Sequence, residues 1–178
     1  MQTINEDIKS GQYNKVYLLY GEESFLKQSY KKKLKEAVAG DDTMNYNYFE
    51  GKGLDVNELI SLSDTMPFFS DKRLIIIEDS GFFKTSSEAL ADYLPMIPDT
   101  TCILFVEDAV DKRNRLFKKV KELGHAAEMK RQDSAQLARW AGTILAQNGR
   151  KITGSSMNLF LERTGDDMEN IRMELEKL

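Results

Sequence analysis

Thr65-Met66-Pro67-Phe68-Phe69-Ser70-Asp71-Lys72-Arg73-Leu74-Ile75-Ile76-Ile77 reads as two pieces joined end to end. Leu74 to Ile77 is an unbroken aliphatic and β-branched run, the pattern of a strand buried on both faces in a parallel sheet. Immediately before it, Met66, Phe68 and Phe69 cluster around Pro67. Proline removes a backbone donor and biases Met66 toward extended backbone. Three large apolar side chains therefore sit on a stiff connector that is neither helix nor strand. Connectors run at the surface, because a buried loop leaves backbone polar groups unpaired. Two outcomes are open at this point. The loop folds back and caps the core, or it presents its apolar side chains to a partner.

Upstream, Ile4, Ile8 and the turn at Ser10-Gly11 predict a short opening helix, and Val16 to Tyr20 a strand broken by Gly21. The next helix carries Leu26, Tyr30, Leu34 and Val38 on one stripe, with Lys27, Lys31, Lys32 and Lys35 on the surface and Gly40 past its end. Tyr46 to Phe49 is a short aromatic strand. Asp55 and Glu58 are spaced as a capping box for a helix carrying Val56, Leu59, Ile60 and Ser63. Downstream, Ser86-Ser87-Glu88 opens a helix with Leu90, Tyr93 and Leu94 that stops at Pro95. Thr101 to Val106 is a fourth strand. Leu116, Val120 and Leu123 mark a helix ending at Gly124, and Ala126 to Met129 a weak fifth strand. Strands alternating with helices define an α/β fold with a mainly parallel sheet flanked by helices.

The pattern changes after Arg131. Asp133 and Gln136 form a second capping box, and Leu137, Trp140, Ala141, Ile144 and Leu145 follow one helical face up to Asn148-Gly149. Ser155 to Arg163 reads as a further helix. Asp166 with Glu169 starts a last one, carrying Met168, Ile171, Leu175 and Leu178. The expected domains are residues 1–130, α/β, and residues 131–178, small and all-helical. The chain reaches Leu178 without a helix-stop signal, so a fragment of a longer protein is expected.

With 178 residues, 41% hydrophobic and 30% charged, the chain can bury a sizeable core. No apolar run approaches the roughly 18–20 residues of a membrane span, and the first residues lack a signal-peptide core. Cys102 is the single cysteine and lies in a strand-like run, which fits a buried thiol in a reducing, cytoplasmic compartment. A net charge of −4 argues against a protein that coats duplex DNA alone.

The turn Tyr20-Gly21-Glu22-Glu23-Ser24-Phe25 stands where many α/β folds hold a nucleotide phosphate. A phosphate loop needs several glycines and a lysine. Here Glu22 and Glu23 occupy the positive end of the helix dipole and would repel phosphate. Gly21, Glu22 and Glu23 thus mark a degenerate phosphate-loop position. Two strands end in acidic pairs, Glu78-Asp79 and Glu107-Asp108. They could hold magnesium or accept a phosphoryl group. With no phosphate loop and no evident partner lysine, they read as caps and solvated turns. His125, after Gly124, reads as a surface turn residue, and Trp140 as core. One histidine and one cysteine make no metal site. Lys31-Lys32-Lys33, Lys118-Lys119, Lys130-Arg131 and Arg150-Lys151 read as solvated faces, with a face toward DNA or an acidic partner as the alternative.

Four features taken together resemble one family: Val16 to Glu23, Met66 to Arg73 leading into an aliphatic strand, the Leu137 to Trp140 helix, and Gly165-Asp166-Asp167-Met168 through Leu178. Their order and spacing resemble the delta subunit of the bacterial DNA polymerase III clamp loader, in a form similar to that of Gram-positive bacteria. The resemblance implies an AAA+-like domain without a functional phosphate loop, a small helical lid domain, and a C-terminal collar domain that this chain lacks. It implies no cofactor and no catalytic activity of the chain itself. It implies that the sliding clamp is the partner, that other loader subunits join through the collar, and that DNA is met only in the assembled loader. Met66, Pro67, Phe68 and Phe69 match the family's clamp-binding plug, which would bind and open the ring. Leu is frequent in the family where Phe68 stands. The resemblance makes docking the expected role of the loop. The alternatives are a degenerate nucleotide-binding or magnesium-dependent phosphotransferase domain, and a nucleic-acid-binding module.

Overall fold

A computed structural model describes residues 2–85 and 87–177. Ser86 and Leu178, read above as part of a helix start and of an apolar face, lie outside the described residues. The elements are α1 (Gln2–Ser10), β1 (Val16–Tyr20), α2 (Ser24–Val38), β2 (Tyr46–Glu50), α3 (Val56–Ser63), β3 (Arg73–Glu78), α4 (Glu88–Tyr93), β4 (Thr101–Glu107), α5 (Arg115–Leu123), β5 (His125–Glu128), α6 (Ser134–Gln147), α7 (Gly154–Thr164) and α8 (Met168–Glu176). The chain divides into two compact units, Met1–Met129 and Lys130–Leu178.

The first unit is built on a five-stranded sheet in the order β2-β3-β4-β1-β5. Every pairing is parallel, with Leu18 opposite Phe105 on one side and Ala126 on the other. Burial on both faces explains the unbroken aliphatic runs: Arg73 to Ile77 and all of β1 and β4 are buried. On one face Val16, Leu18, Ile75, Ile77, Ile103 and Phe105 pack with Leu59 of α3, Leu90 of α4, and Leu116 and Val120 of α5. Alternate strand residues face the other way, where α2 crosses β1, β3 and β4. Each fully buried leucine or isoleucine contributes about 1.5–3 kcal/mol. The sheet is thus a rigid base whose strand ends fix the positions of the connecting loops. The second unit buries Leu137, Ala141 and Leu145 of α6, Met157 of α7, and Met168, Ile171 and Leu175 of α8. No helix among the described residues is long and apolar enough to cross a membrane.

Capping chemistry sets several boundaries. The Asp133–Gln136 box is formed on both sides. Asp55 caps α3, but its carboxylate accepts from the amide of Asn57, without a bond back from Glu58. The last helix is capped by Asp167, which accepts from Asn170, one residue beyond the expected Asp166. Pro95 does not stop the chain's winding. It fits the first turn of a short 3-10 segment, Leu94–Met96, where its missing N–H costs nothing.

Three side chains differ from their sequence reading. Trp140 is half-buried rather than core, because the buried stripe of α6 runs through Leu137, Ala141 and Leu145. Lys27 is 3% exposed, not a surface lysine. His125 is not a surface turn residue: it opens β5, is half-buried, and its buried Nε2 has no hydrogen-bond partner. Burial disfavours the imidazolium and holds the His125 pKa below its ordinary 6.5. The unfolded chain then binds the proton more readily than the folded one. The stability this adds is complete above about pH 6.5 and is lost as pH falls through the folded value. As the single histidine, its NMR titration is unambiguous and is expected to show a midpoint below 6.5; a midpoint at or above that value contradicts the burial argument.

Candidate docking site

The connector between α3 and β3 exposes its apolar side chains while its backbone is held from below. Met66 is 74% exposed, Phe68 55% and Phe69 94%; Pro67 is half-buried. The loop therefore does not fold back to cap the core. The two phenylalanine rings meet edge to face with centroids 4.3 Å apart. Phe69 has φ 51°, in the left-handed region that costs a non-glycine residue roughly 1–2 kcal/mol. Strain of this kind persists only where the surroundings impose it.

Two buried polar residues hold the backbone that leads into Phe69. Asn45, 1% exposed, pairs with the peptide of Phe68: the Phe68 N–H donates to Oδ1 at 2.6 Å, and Nδ2 donates to the Phe68 carbonyl at 2.8 Å. Arg73, 6% exposed, donates from Nε to the Thr65 carbonyl at 3.2 Å and from Nη2 to the Met66 carbonyl at 3.4 Å. Its Nη1 donates to Asn47 Oδ1 at 3.0 Å. With the backbone polar groups turned inward to these partners, the side chains of the loop point outward. Sequence reasoning missed Asn45 altogether and gave Arg73 no role. Asp42 ties Asn45 locally, three residues away, but the partner that gives Asn45 its role, the Phe68 peptide, lies 23 residues along the chain.

The degenerate phosphate-loop position lies at the other end of the sheet, beyond the carboxyl end of β1. Gly21 has φ 122°, and a Cβ there would stand 2.5 Å from the Met129 carbonyl oxygen, so only glycine fits. The Gly21 N–H donates to the Glu107 carbonyl at 3.3 Å, and the Glu23 N–H to the Met129 carbonyl at 2.9 Å. The Glu23 carboxylate caps α2, accepting from Phe25 N–H at 3.3 Å, while Glu22 is exposed. Backbone donors that would meet a phosphate in a phosphate loop are thus engaged within the chain. Lys27 reaches the carboxyl end of β4, where its ammonium donates to the Glu107 carbonyl and pairs with Asp108.

In the acidic pairs the aspartates, Asp79 and Asp108, are exposed as a solvated turn would have them, but the glutamates are engaged, and partner lysines do exist. Glu78 accepts from Lys31 and Gln28, each at 2.6 Å, and from the Tyr48 hydroxyl at 3.1 Å. Burial pushes its carboxyl up, but the Lys31 and Gln28 donors outweigh it and the pKa lies below the ordinary 4.5. Glu107, 2% exposed, accepts from the Ser80 amide at 3.0 Å, the Ser80 hydroxyl and the Gly81 amide. Burial raises its pKa against these donors. Carboxylates so engaged are structural ties between strand ends rather than free ligands. Among the described residues no group of three or more His, Cys, Asp or Glu is placed to hold a metal ion. Cys102 is buried, which pushes its thiol up to about 12 and far from nucleophilic character.

An all-parallel sheet of this order, with helices on both faces and a strand–Gly–helix turn at the carboxyl end of β1, defines an AAA+-like fold. Residues 17–130 match the family "DNA polymerase III, delta subunit", and the chain belongs to that family. It is 22% identical to the DNA polymerase III subunit delta of Bacillus subtilis, over 97% of this chain and 54% of the relative. In fold it is similar to the Bacillus subtilis DNA clamp loader delta protein YqeN, with TM-score 0.81 and 20% identity, over 99% of this chain and 56% of that one. More distant similarity extends to a DNA polymerase III gamma subunit-related protein of Thermotoga maritima, with TM-score 0.54 and 11% identity, covering 96% of this chain and 57% of that one. It extends also to a Thermotoga maritima RuvB variant, with TM-score 0.50 and 12% identity, covering 98% of this chain and 57% of that one. The chain spans about half the length of the relatives it matches.

Proposed function

We propose that this chain binds a sliding clamp through Met66, Pro67, Phe68 and Phe69 and opens the ring for loading on primed DNA. The observation that carries the reading is the exposure of the three apolar side chains on a backbone pinned by Asn45 and Arg73. A loop whose backbone is already ordered loses little conformational freedom on binding. Membership of the delta family supports a sliding clamp as the partner. The first unit acts as the clamp-contacting AAA+-like domain, the second as a helical lid. A collar domain outside this chain would join it to other loader subunits, where ATP acts, and DNA would be met only in that cytoplasmic assembly. The chain itself catalyses no reaction, consistent with the engaged amides and carboxylates around Gly21 and Glu107.

Opening has a thermodynamic condition. A ligand shifts an equilibrium only by its differential affinity for the two states. Moving a ring from mostly closed to mostly open takes about 5.5 kcal/mol of such difference. A plug that fits the closed and open rings equally would shift nothing. The plug therefore supplies attachment, and a neighbouring surface of the first unit makes contacts that are better in the open ring. Calorimetric titration of the sliding clamp with this chain tests the attachment: saturable binding is expected, and its absence with the chain shown to be folded defeats the reading.

A further inference from the structure

The plug loop is not the whole of the exposed apolar surface in its neighbourhood. Met44 is 65% exposed and lies in the turn 42–45 that leads into β2. That turn is fixed internally. Asp42 Oδ1 accepts the amides of Met44 at 2.8 Å and Asn45 at 3.1 Å, and Oδ2 accepts Asn45 Nδ2 at 2.7 Å. It is also tied to the plug loop through Asn45, which grips both sides of the Phe68 peptide, at 2.6 and 2.8 Å. Met44 and the plug are therefore carried on one hydrogen-bonded platform.

We propose that Met44 is a fourth apolar contact to the partner that receives the plug, seated on the sliding-clamp surface beside the plug's pocket. The proposal rests on the docking reading above. Single exposed apolar residues are ordinary, and the ties to Phe68 are what distinguish this one. A body seated on Phe68 and Phe69 stands over the turn whose next residue holds the Phe68 peptide. Size argues the same way. A specific interface covers about 800 Å² on each partner, more than three side chains supply, so contact must continue past the plug. Methionine suits such a margin, because its unbranched, polarizable side chain adapts to an imperfectly matched surface. The tie also makes Met44 dependent on Asn45, so the two loops meet the partner together.

The test is titration of the sliding clamp with the wild-type chain, Met44→Ser and Phe69→Ala under one set of conditions. Serine is compatible with an exposed turn, and unchanged urea midpoints establish that both variants are folded. The expected result is an affinity about fivefold weaker for Met44→Ser, alongside a much larger loss for Phe69→Ala. Wild-type affinity for Met44→Ser, with Phe69→Ala strongly weakened, overturns the role of Met44 and leaves the plug standing. Wild-type affinity for both variants overturns the plug reading and this inference with it, as does a folded wild-type chain that does not bind.

Discussion

Phe69→Ala is expected to weaken clamp binding at least about 30-fold, close to 2 kcal/mol, the loss typical of an aromatic anchor seated in a pocket. It leaves the fold's stability almost unchanged. Phe69 is 94% exposed in the free chain, so its truncation removes no core packing. The unfolding free energy from urea titration should stay within about 0.5 kcal/mol of wild type, as it does for surface substitutions generally. That separation of binding from stability is the signature of an anchor. If the midpoint fell along with the affinity, Phe69 would be part of the structure of the loop rather than a contact. If neither changed, the partner would touch the chain elsewhere.

Asn45→Ala has the opposite profile, with stability and binding falling together. The substitution removes the partner of the Phe68 N–H and carbonyl and one donor to Asp42, in a site 1% exposed. Stranding buried polar groups costs about 1–3 kcal/mol each unless water reaches them. A loss of about 2–3 kcal/mol in the unfolding free energy of the first unit is expected by urea titration. The clamp affinity falls too, because a loop released from its platform must be ordered on binding, at about 0.5–1.5 kcal/mol per immobilised side chain. Unchanged stability would show that Asn45 does not hold the loop. Arg73 acts on the preceding two carbonyls by the same logic.

What the sequence made legible was what depends on local pattern. The continuous runs at Val16–Tyr20, Leu74–Ile77 and Thr101–Val106 announced strands buried on both faces, and the sheet is parallel throughout. The Asp133–Gln136 box fixed a helix start to the residue. The cluster around Pro67 singled out the loop, because proline and apolar bulk in a connector are unusual together. What stayed hidden depends on partners distant along the chain. Lys27 reads as a surface lysine, yet it pairs with Asp108, 81 residues away. Glu107 reads as a turn carboxylate, yet it is enclosed by Ser80 and Gly81 from the end of the neighbouring strand. Asn45 looks like any polar loop residue until Phe68 is brought to it. Helical and strand periodicity carry no information about such pairs. They are set by which strands lie side by side.

The proposed ring opening is tested most directly by the release of closed sliding clamps from nicked circular DNA, with this chain in excess and no nucleotide present. Release faster with the wild-type chain than without it, and not with Phe69→Ala, is the predicted result. Tight binding by the wild-type chain with no acceleration of release contradicts it.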